Sequence, residues 1–254
     1  MRNAAPIGIL FLVSLLLTSC FSLNMLDDAL DNPENATTLR IQNIRMDSLP
    51  KEIGQLTYLK TLYLFRNKMQ YIPEEIGNLK NLENLVISSN RLTSLPSSIG
   101  KLTNLKKISL KNNRLKKLPD EIGNLQQLKE LYLDYNDLRT LPPGIGNLKN
   151  LENLEVNHNS LVTLPHEIGK LKKLRFFMIG KNSLIEIPDE IGDMENLVQL
   201  NLSYCGALRI PETLQYCHKL ELLYIDELLV LPFSISSVNP RLRIVRPGKS
   251  ARKP

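Results

Sequence analysis

The chain has 254 residues, 43% of them apolar, with a formal charge of +6 and three cysteines. The charge excludes less than it promises, because Arg241, Arg243, Arg246, Lys249, Arg252 and Lys253 supply six positives with no acid among them. Between Cys20 and Pro240 the count is 25 basic against 26 acidic residues, which excludes a nucleic-acid-binding surface spread over the body of the protein.

Residues 1–19 open with a short basic start and an apolar run from Ile7 to Leu17. That run falls short of the roughly 20 apolar residues a spanning helix needs, so it reads as an export signal. Leu17-Thr18-Ser19-Cys20 then resembles the bacterial lipobox, in which a leucine and two small residues precede a cysteine that is acylated and becomes the new N-terminus. The resemblance implies a lipidated Cys20 and a membrane-bound mature protein; the alternative is an ordinary signal peptide with a chance cysteine. Residues 20–35 form the tether and N-terminal cap, with Leu23, Leu26 and Leu30 on one helical stripe before Asn32-Pro33.

From residue 36 to 231 the chain repeats itself. Leu49-Pro50, Ile72-Pro73, Leu95-Pro96, Leu118-Pro119, Leu141-Pro142, Leu164-Pro165, Ile187-Pro188 and Ile210-Pro211 share one spacing of 23 residues. Such units cannot bury an apolar face alone and stack into a solenoid. In Leu62-Tyr63-Leu64 and its copies, alternation puts leucines on one face and the intervening side chain on the other, which is a strand. Pro73-Glu74-Glu75-Ile76-Gly77 and its copies read as a one-turn helix or 3₁₀ segment: proline at the first position, acids in the first turn, and a glycine expected to end it in the left-handed conformation. Ile76, Leu79, Leu82, Leu85, Ile87, Leu92 and Leu95 point inward, as do their equivalents in other units. Asn67, Asn90, Asn113, Asn136, Asn159 and Asn182 occupy an inward turn, where a buried amide must be hydrogen-bonded, so they form a structural ladder.

The unit Leu82, Leu85, Ile87, Asn90, Leu92 and its copies resemble the leucine-rich repeat family, whose motif is L-x-x-L-x-L-x-x-N/C-x-L. The resemblance implies an α/β fold: a right-handed leucine-rich-repeat solenoid with a concave parallel β-sheet and convex short helical or 3₁₀ segments. Cys205 stands at a ladder position where the motif permits cysteine, and Cys217 at an inward position of the convex half; both read as core thiols. Residues 232–254 are a C-terminal cap strand near Leu242 to Val245 followed by a basic tail.

Catalytic and metal chemistry find no seat. Glu130, Asp134 and Glu155 suggest an acid/base pair or cation site, but Lys107 and Lys111 stand one period before Glu130 and Asp134, and cross-strand ion pairing accounts for them. His158, His166 and His218 are too far apart along the stack for a triad, and no ligand quartet exists for zinc. Gly248-Lys249-Ser250 lacks the upstream glycine of a phosphate loop. No enzyme activity, cofactor or metal is expected.

What remains is the outward strand face, where Tyr63, Phe65, Tyr132, Tyr135, Phe176, Met178, Tyr204 and Tyr224 gather. Tyrosine and phenylalanine exposed on a rigid sheet dominate interface hot spots, so these eight residues are the expected partner-binding set. The sequence thus reads as a monomeric, exported lipoprotein of the cell envelope, at the outer membrane or cell surface, that binds a host or extracellular protein through its concave face. The alternatives are a secreted or periplasmic envelope scaffold or assembly protein, and a polyanion-binding module acting through the tail.

Overall fold

The computed structural model describes residues 20–227, 229–238 and 240–246. The lipobox residues Leu17 to Ser19, the leader before them, and Lys249, Arg252 and Lys253 of the tail lie outside the described residues.

The chain starts with α1 (Cys20–Asp31) and then adds strands in sequence order: β1 (Thr38–Arg40), β2 (Thr61–Tyr63), β3 (Asn84–Val86), β4 (Lys107–Ser109), β5 (Glu130–Tyr132), β6 (Asn153–Glu155), β7 (Phe176–Met178), β8 (Gln199–Asn201) and β9 (Leu222–Tyr224). A short helix, α2 (Phe233–Val238), precedes β10 (Arg243–Val245). The ten strands form one open parallel sheet in the order β1 to β10. Residues one period apart are direct partners, as in Tyr63 opposite Val86 and Lys107 opposite Glu130, so the sequence repeat is also the register of the sheet.

Eight 3₁₀ turns among the described residues, such as Glu74–Asn78 and Pro143–Asn147, connect the strands across the back. The proline is their cap: Pro73 is extended at φ −69° and ψ 154°, and its carbonyl accepts the Ile76 N–H at 3.1 Å. The expectation that glycine ends these turns in the left-handed region is overturned, because the repeat glycines keep ordinary φ and, among the glycines of the described residues, only the loop residue Gly206 has a positive φ, +81°. The reason for glycine is proximity. A Cβ on Gly146 would sit 2.4 Å from the Glu167 carbonyl oxygen of the next turn, so successive turns stack only if the side chain is absent.

Between sheet and turns lies a continuous aliphatic core; Ile76, Leu79, Leu82, Ile87 and Leu92 are all fully buried. The asparagine ladder forms as expected. Asn113 Oδ1 accepts the Leu92 N–H at 3.0 Å, while its amide donates to the Ile87 and Leu110 carbonyls at 2.9 and 3.0 Å. Cys205 reproduces part of this, its thiol donating to the Ile179 carbonyl at 3.4 Å. Both Cys205 and Cys217 are free thiols, with burial pushing them up to about 11 and about 12. Leu26 of α1 is buried against the first coil, and Leu30 packs beside it. The expected closing strand is β10, but α2 before it was not anticipated.

One regularity has no signature in composition. Asn43, Arg66, Ser89, Asn112, Tyr135, His158, Lys181 and Tyr204, each 23 residues after the last, all have φ between 53° and 60°. A left-handed residue in each of these eight coils swings the chain out of the strand into the inward turn, and it leaves a column of side chains along the rim of the sheet. Non-glycine residues adopt this conformation at a cost of roughly 1–2 kcal/mol.

Candidate partner-binding face

The alternation that buries Leu62, Leu85 and Leu131 turns Tyr63, Val86 and Tyr132 outward. The eight expected contact residues all fall on or beside this face, but they do not form one surface. Tyr63 and Phe65 are one patch, next to Val86. Phe176, Met178, Tyr204 and Tyr224 are a second, with Tyr135 at its margin on the rim. Five strand spacings of about 4.8 Å separate β2 from β7, or roughly 24 Å.

Cations cover the aromatic rings in both patches. Arg40 lies 4.7 Å from the Tyr63 ring centre and Arg66 5.0 Å from that of Phe65. In the second patch Arg175 is 5.3 Å from the Phe176 ring and Lys181 5.6 Å from that of Tyr204. Each such contact contributes about 0.5–1 kcal/mol where exposed. Arg40 stands on the strand face opposite Tyr63, whereas Arg66 and Lys181 come from the rim and Arg175 from the position before β7, outside the strand face that alternation defines.

Tyr132 behaves differently from the rest. It sits in a charged belt over β4 to β6 that divides the patches. Its hydroxyl donates to Glu130 at 2.9 Å, Lys107 pairs with Glu130 at 2.7 Å, and Lys107 and Lys111 both lie within 5.0 Å of its ring centre. Burial and the bond to Glu130 push the phenol up to about 12. The expected ion pairs are therefore present, and the belt extends further than expected. Lys111 contacts Asp134 at 2.8 Å and Glu155 at 2.5 Å, so one ammonium holds two carboxylates. Against its own burial, bonds to these acids raise the Lys111 pKa, whereas burial and the nearby Asp134 raise that of Glu155.

The outermost position of each coil is less open than alternation suggests. Ser88, Asp134 and Ser203 are buried, although the sequence places them on the outward face. Each lies past the end of a three-residue strand, where the chain is turning and packs sideways on its neighbour; Ser88 and Ser109 hydroxyls, for example, bond at 2.8 Å.

On the rim, Tyr135 and His158 stack with ring centres 4.0 Å apart at 19°. His158 was dismissed as a triad member, which it is not, yet it forms part of this face. Burial and Lys181 lower its pKa against the pull of Asp134, and the lowering favours the neutral form of the stacked ring. Tyrosines also stand exposed off the sheet: Tyr58, Tyr71 and Tyr216 are each more than half accessible. Among the described residues no three of histidine, cysteine, aspartate and glutamate gather as a metal site, and no helix is long and apolar enough to cross a membrane.

An open parallel sheet of repeated coils, with aromatic and charged side chains set along its outward face, defines a repeat protein of the kind that serves as an interaction module. Family comparison agrees: a leucine-rich repeat region profile matches residues 17–112 and 96–175, and a second leucine-rich repeat profile matches residues 145–206. The chain belongs to the leucine-rich repeat family. Comparison with curated protein sequences gave no match. Among solved structures it is similar to the Leptospira interrogans leucine-rich repeat protein LIC12759, at 28% identity over 87% of this chain and 74% of that one, with a TM-score of 0.60. The leucine-rich repeat domain of the type III effector XopL shares the fold, with a TM-score of 0.78 at 24% identity, over 89% of this chain and 82% of that one. The plant peptide hormone receptor RGFR1, solved in complex with RGF2, is 30% identical over 84% of this chain, with a TM-score of 0.64; the match spans 40% of the receptor chain.

Proposed function

We propose that this protein is exported, held at a membrane by acylation of Cys20, and binds a protein partner across the concave face as a monomer. The observation that carries the reading is the pair of aromatic patches, Tyr63 with Phe65 and Phe176 with Met178, Tyr204 and Tyr224, set on a rigid sheet and backed by cations. Large rings with two side-chain torsions lose little entropy on binding, and the sheet has no need to rearrange. Two neighbours are consistent with this: the Leptospira interrogans leucine-rich repeat protein, and a plant peptide hormone receptor solved in complex with RGF2. The partner on this reading is an extracellular or host protein, the site of action is the outer surface of the cell envelope, and the activity is binding without catalysis.

Lipidation supplies the anchor. One acyl chain holds a protein only marginally, at about 0.8 kcal/mol per buried methylene, but two or three hold it stably. With α1 beginning at Cys20 and only residues 32–37 between its end and β1, the tether is short and keeps the solenoid near its bilayer.

Protease treatment of intact cells, with a lysed control, tests the placement. Digestion in intact cells is the expected result. Protection until lysis would contradict surface display and move the partner search to the envelope interior.

A further inference from the structure

The outermost position of successive coils is occupied by Phe65, Ser88, Lys111, Asp134, Asn157, Gly180, Ser203 and Asp226. In this row only Gly180 has no side chain, and a hollow of about 420 Å³ opens above it. The Tyr135 and His158 stack lines it on one side and Tyr204 on the other, with Asn201 and Ser203 at its base. A Cβ here would be tight, 3.0 Å from both Asn201 Oδ1 and the Ser203 carbonyl oxygen, so a larger residue would press on both.

The polar groups facing the hollow are unbalanced in one direction. Asn201 Oδ1 accepts the Ser203 N–H at 2.9 Å, which leaves the Asn201 amide N–H groups pointing elsewhere. The Tyr204 hydroxyl is shielded from solvent yet has no hydrogen-bond partner among the described residues. An unmatched buried hydroxyl costs about 1–3 kcal/mol, so a shift of the Tyr204 ring that brings it to an acceptor in the hollow is favoured. Lys181 contacts the Tyr204 ring and has no carboxylate within ion-pairing distance among the described residues. The one acid in the lining, Asp134, is already matched: Asn157 donates to its Oδ1 from backbone and side chain at 2.8 and 2.9 Å, and Lys111 pairs with its Oδ2 at 2.8 Å. Asp226, next along the row, turns its Oδ1 to the Tyr204 N–H at 2.6 Å. The hollow therefore presents Lys181 without a carboxylate partner among the described residues, while its acid, Asp134, is hydrogen-bonded by Asn157 and shares Lys111 with Glu155.

We propose that the hollow over Gly180 receives an acidic side chain, aspartate or glutamate, of the protein partner, with Lys181 as its counter-charge and the Tyr204 hydroxyl and Asn201 amide as donors. The inference rests on the concave-face reading and adds to it the chemistry of one anchor. Charge-assisted bonds of this kind are short and about twice as strong as neutral ones.

The test is selection from a random-peptide library displayed on phage, where fusion of the peptide C-terminus removes its free carboxylate. Binders are then synthesised and their affinities measured on the full chain. The expected result is a shared aspartate or glutamate whose replacement by the amide weakens binding about tenfold, with a similar loss in Lys181→Glu. Exchanging the peptide acid for lysine recovers affinity for Lys181→Glu. Tyr204→Phe weakens binding severalfold without lowering the urea midpoint, a separation that a purely structural tyrosine would not give. Peptides that lose affinity in Phe176→Ala or Tyr63→Ala but have no acid preference and ignore Lys181→Glu would overturn this inference and leave the concave reading intact. A selection that yields no binder sensitive to Phe176→Ala or Tyr63→Ala would overturn both.

Discussion

Lys111 on one coil bonds Glu155 two coils away at 2.5 Å, reaching past the intervening Asp134, which it also holds at 2.8 Å. One ammonium thus bridges two carboxylates that also act on each other, burial and Asp134 together raising the Glu155 pKa. Lys111→Met is expected to destabilise the fold by about 1–3 kcal/mol, between the values for exposed and buried pairs. Adding Glu155→Gln should recover part of that loss, because only one buried charge then lacks its partner. Urea unfolding of the single and double variants measures both effects, and additive losses would contradict the shared-cation geometry.

The ladder gives a graded series at Asn113. Asn113→Val removes an acceptor from the Leu92 N–H and a donor from the Ile87 carbonyl, and should cost at least about 2 kcal/mol, at roughly 1–3 kcal/mol per orphaned group. Asn113→Cys should cost less, because the Cys205 thiol shows that sulfur can still donate to the upstream carbonyl. Equal losses in chemical unfolding would mean that the ladder bonds contribute little and that side-chain volume decides.

Glycine at the back of each coil separates two physical readings. If proximity is the constraint, Gly146→Asn should cost several times more than Gly206→Asn. The first inserts atoms 2.4 Å from a backbone oxygen; the second adds them where nothing lies within 4 Å, at a φ that asparagine tolerates. A left-handed constraint at Gly146 would have made the two alike.

Most of this architecture was legible from the chain, and the reason is repetition. A strand of three residues is a weak signal by itself, but Leu62-Tyr63-Leu64 recurring at one spacing sets strand, register and neighbour together. The turn glycine was misread because a conformational and a steric need for glycine leave the same residue in the sequence. The binding face was only partly legible. The outward residues follow from alternation, but Tyr132's place in the ion belt, the Arg40 and Lys181 contacts with the Tyr63 and Tyr204 rings, and the hollow at Gly180 depend on side chains from adjacent coils. The stack of Tyr135 on His158 had a usable signal: the two stand one period apart, immediately before ladder asparagines.

Two histidines should titrate in opposite senses. Burial and Lys181 hold His158 below the ordinary value near 6.5, so the folded state binds its proton less tightly than the unfolded chain does. Its contribution to stability is present above 6.5 and declines as the pH falls from there toward the lowered folded value. His166 is exposed and bonded to Glu190 at 2.9 Å, which raises its pKa; its contribution is present below 6.5 and is lost as the pH rises through the raised folded value. Histidine proton resonances followed through a pH titration, assigned with His158→Phe and His166→Gln, should give midpoints on either side of 6.5. A reversed order would contradict the stacked, neutral His158.

The acyl anchor predicts a simple partition. Cys20→Ser should leave the protein in the soluble fraction of the envelope, whereas the unaltered chain stays with membranes and incorporates labelled fatty acid. Fatty-acid labelling that persists in Cys20→Ser would remove Cys20 from the account.

The central claim is that the concave sheet, and no other aromatic surface, meets the partner. Site-specific photocrosslinking tests it without knowledge of the partner, because Tyr58 and Tyr216 provide equally conspicuous rings off the sheet, 55% and 56% exposed. Benzoylphenylalanine is placed in turn at Phe65, Phe176, Tyr58 and Tyr216 of the full chain on cells incubated with host extracellular proteins, and the cells are irradiated. The account predicts discrete protein adducts from Phe65 and Phe176 and none from Tyr58 or Tyr216. Adducts from Tyr58 or Tyr216, with none from the concave positions, would contradict it.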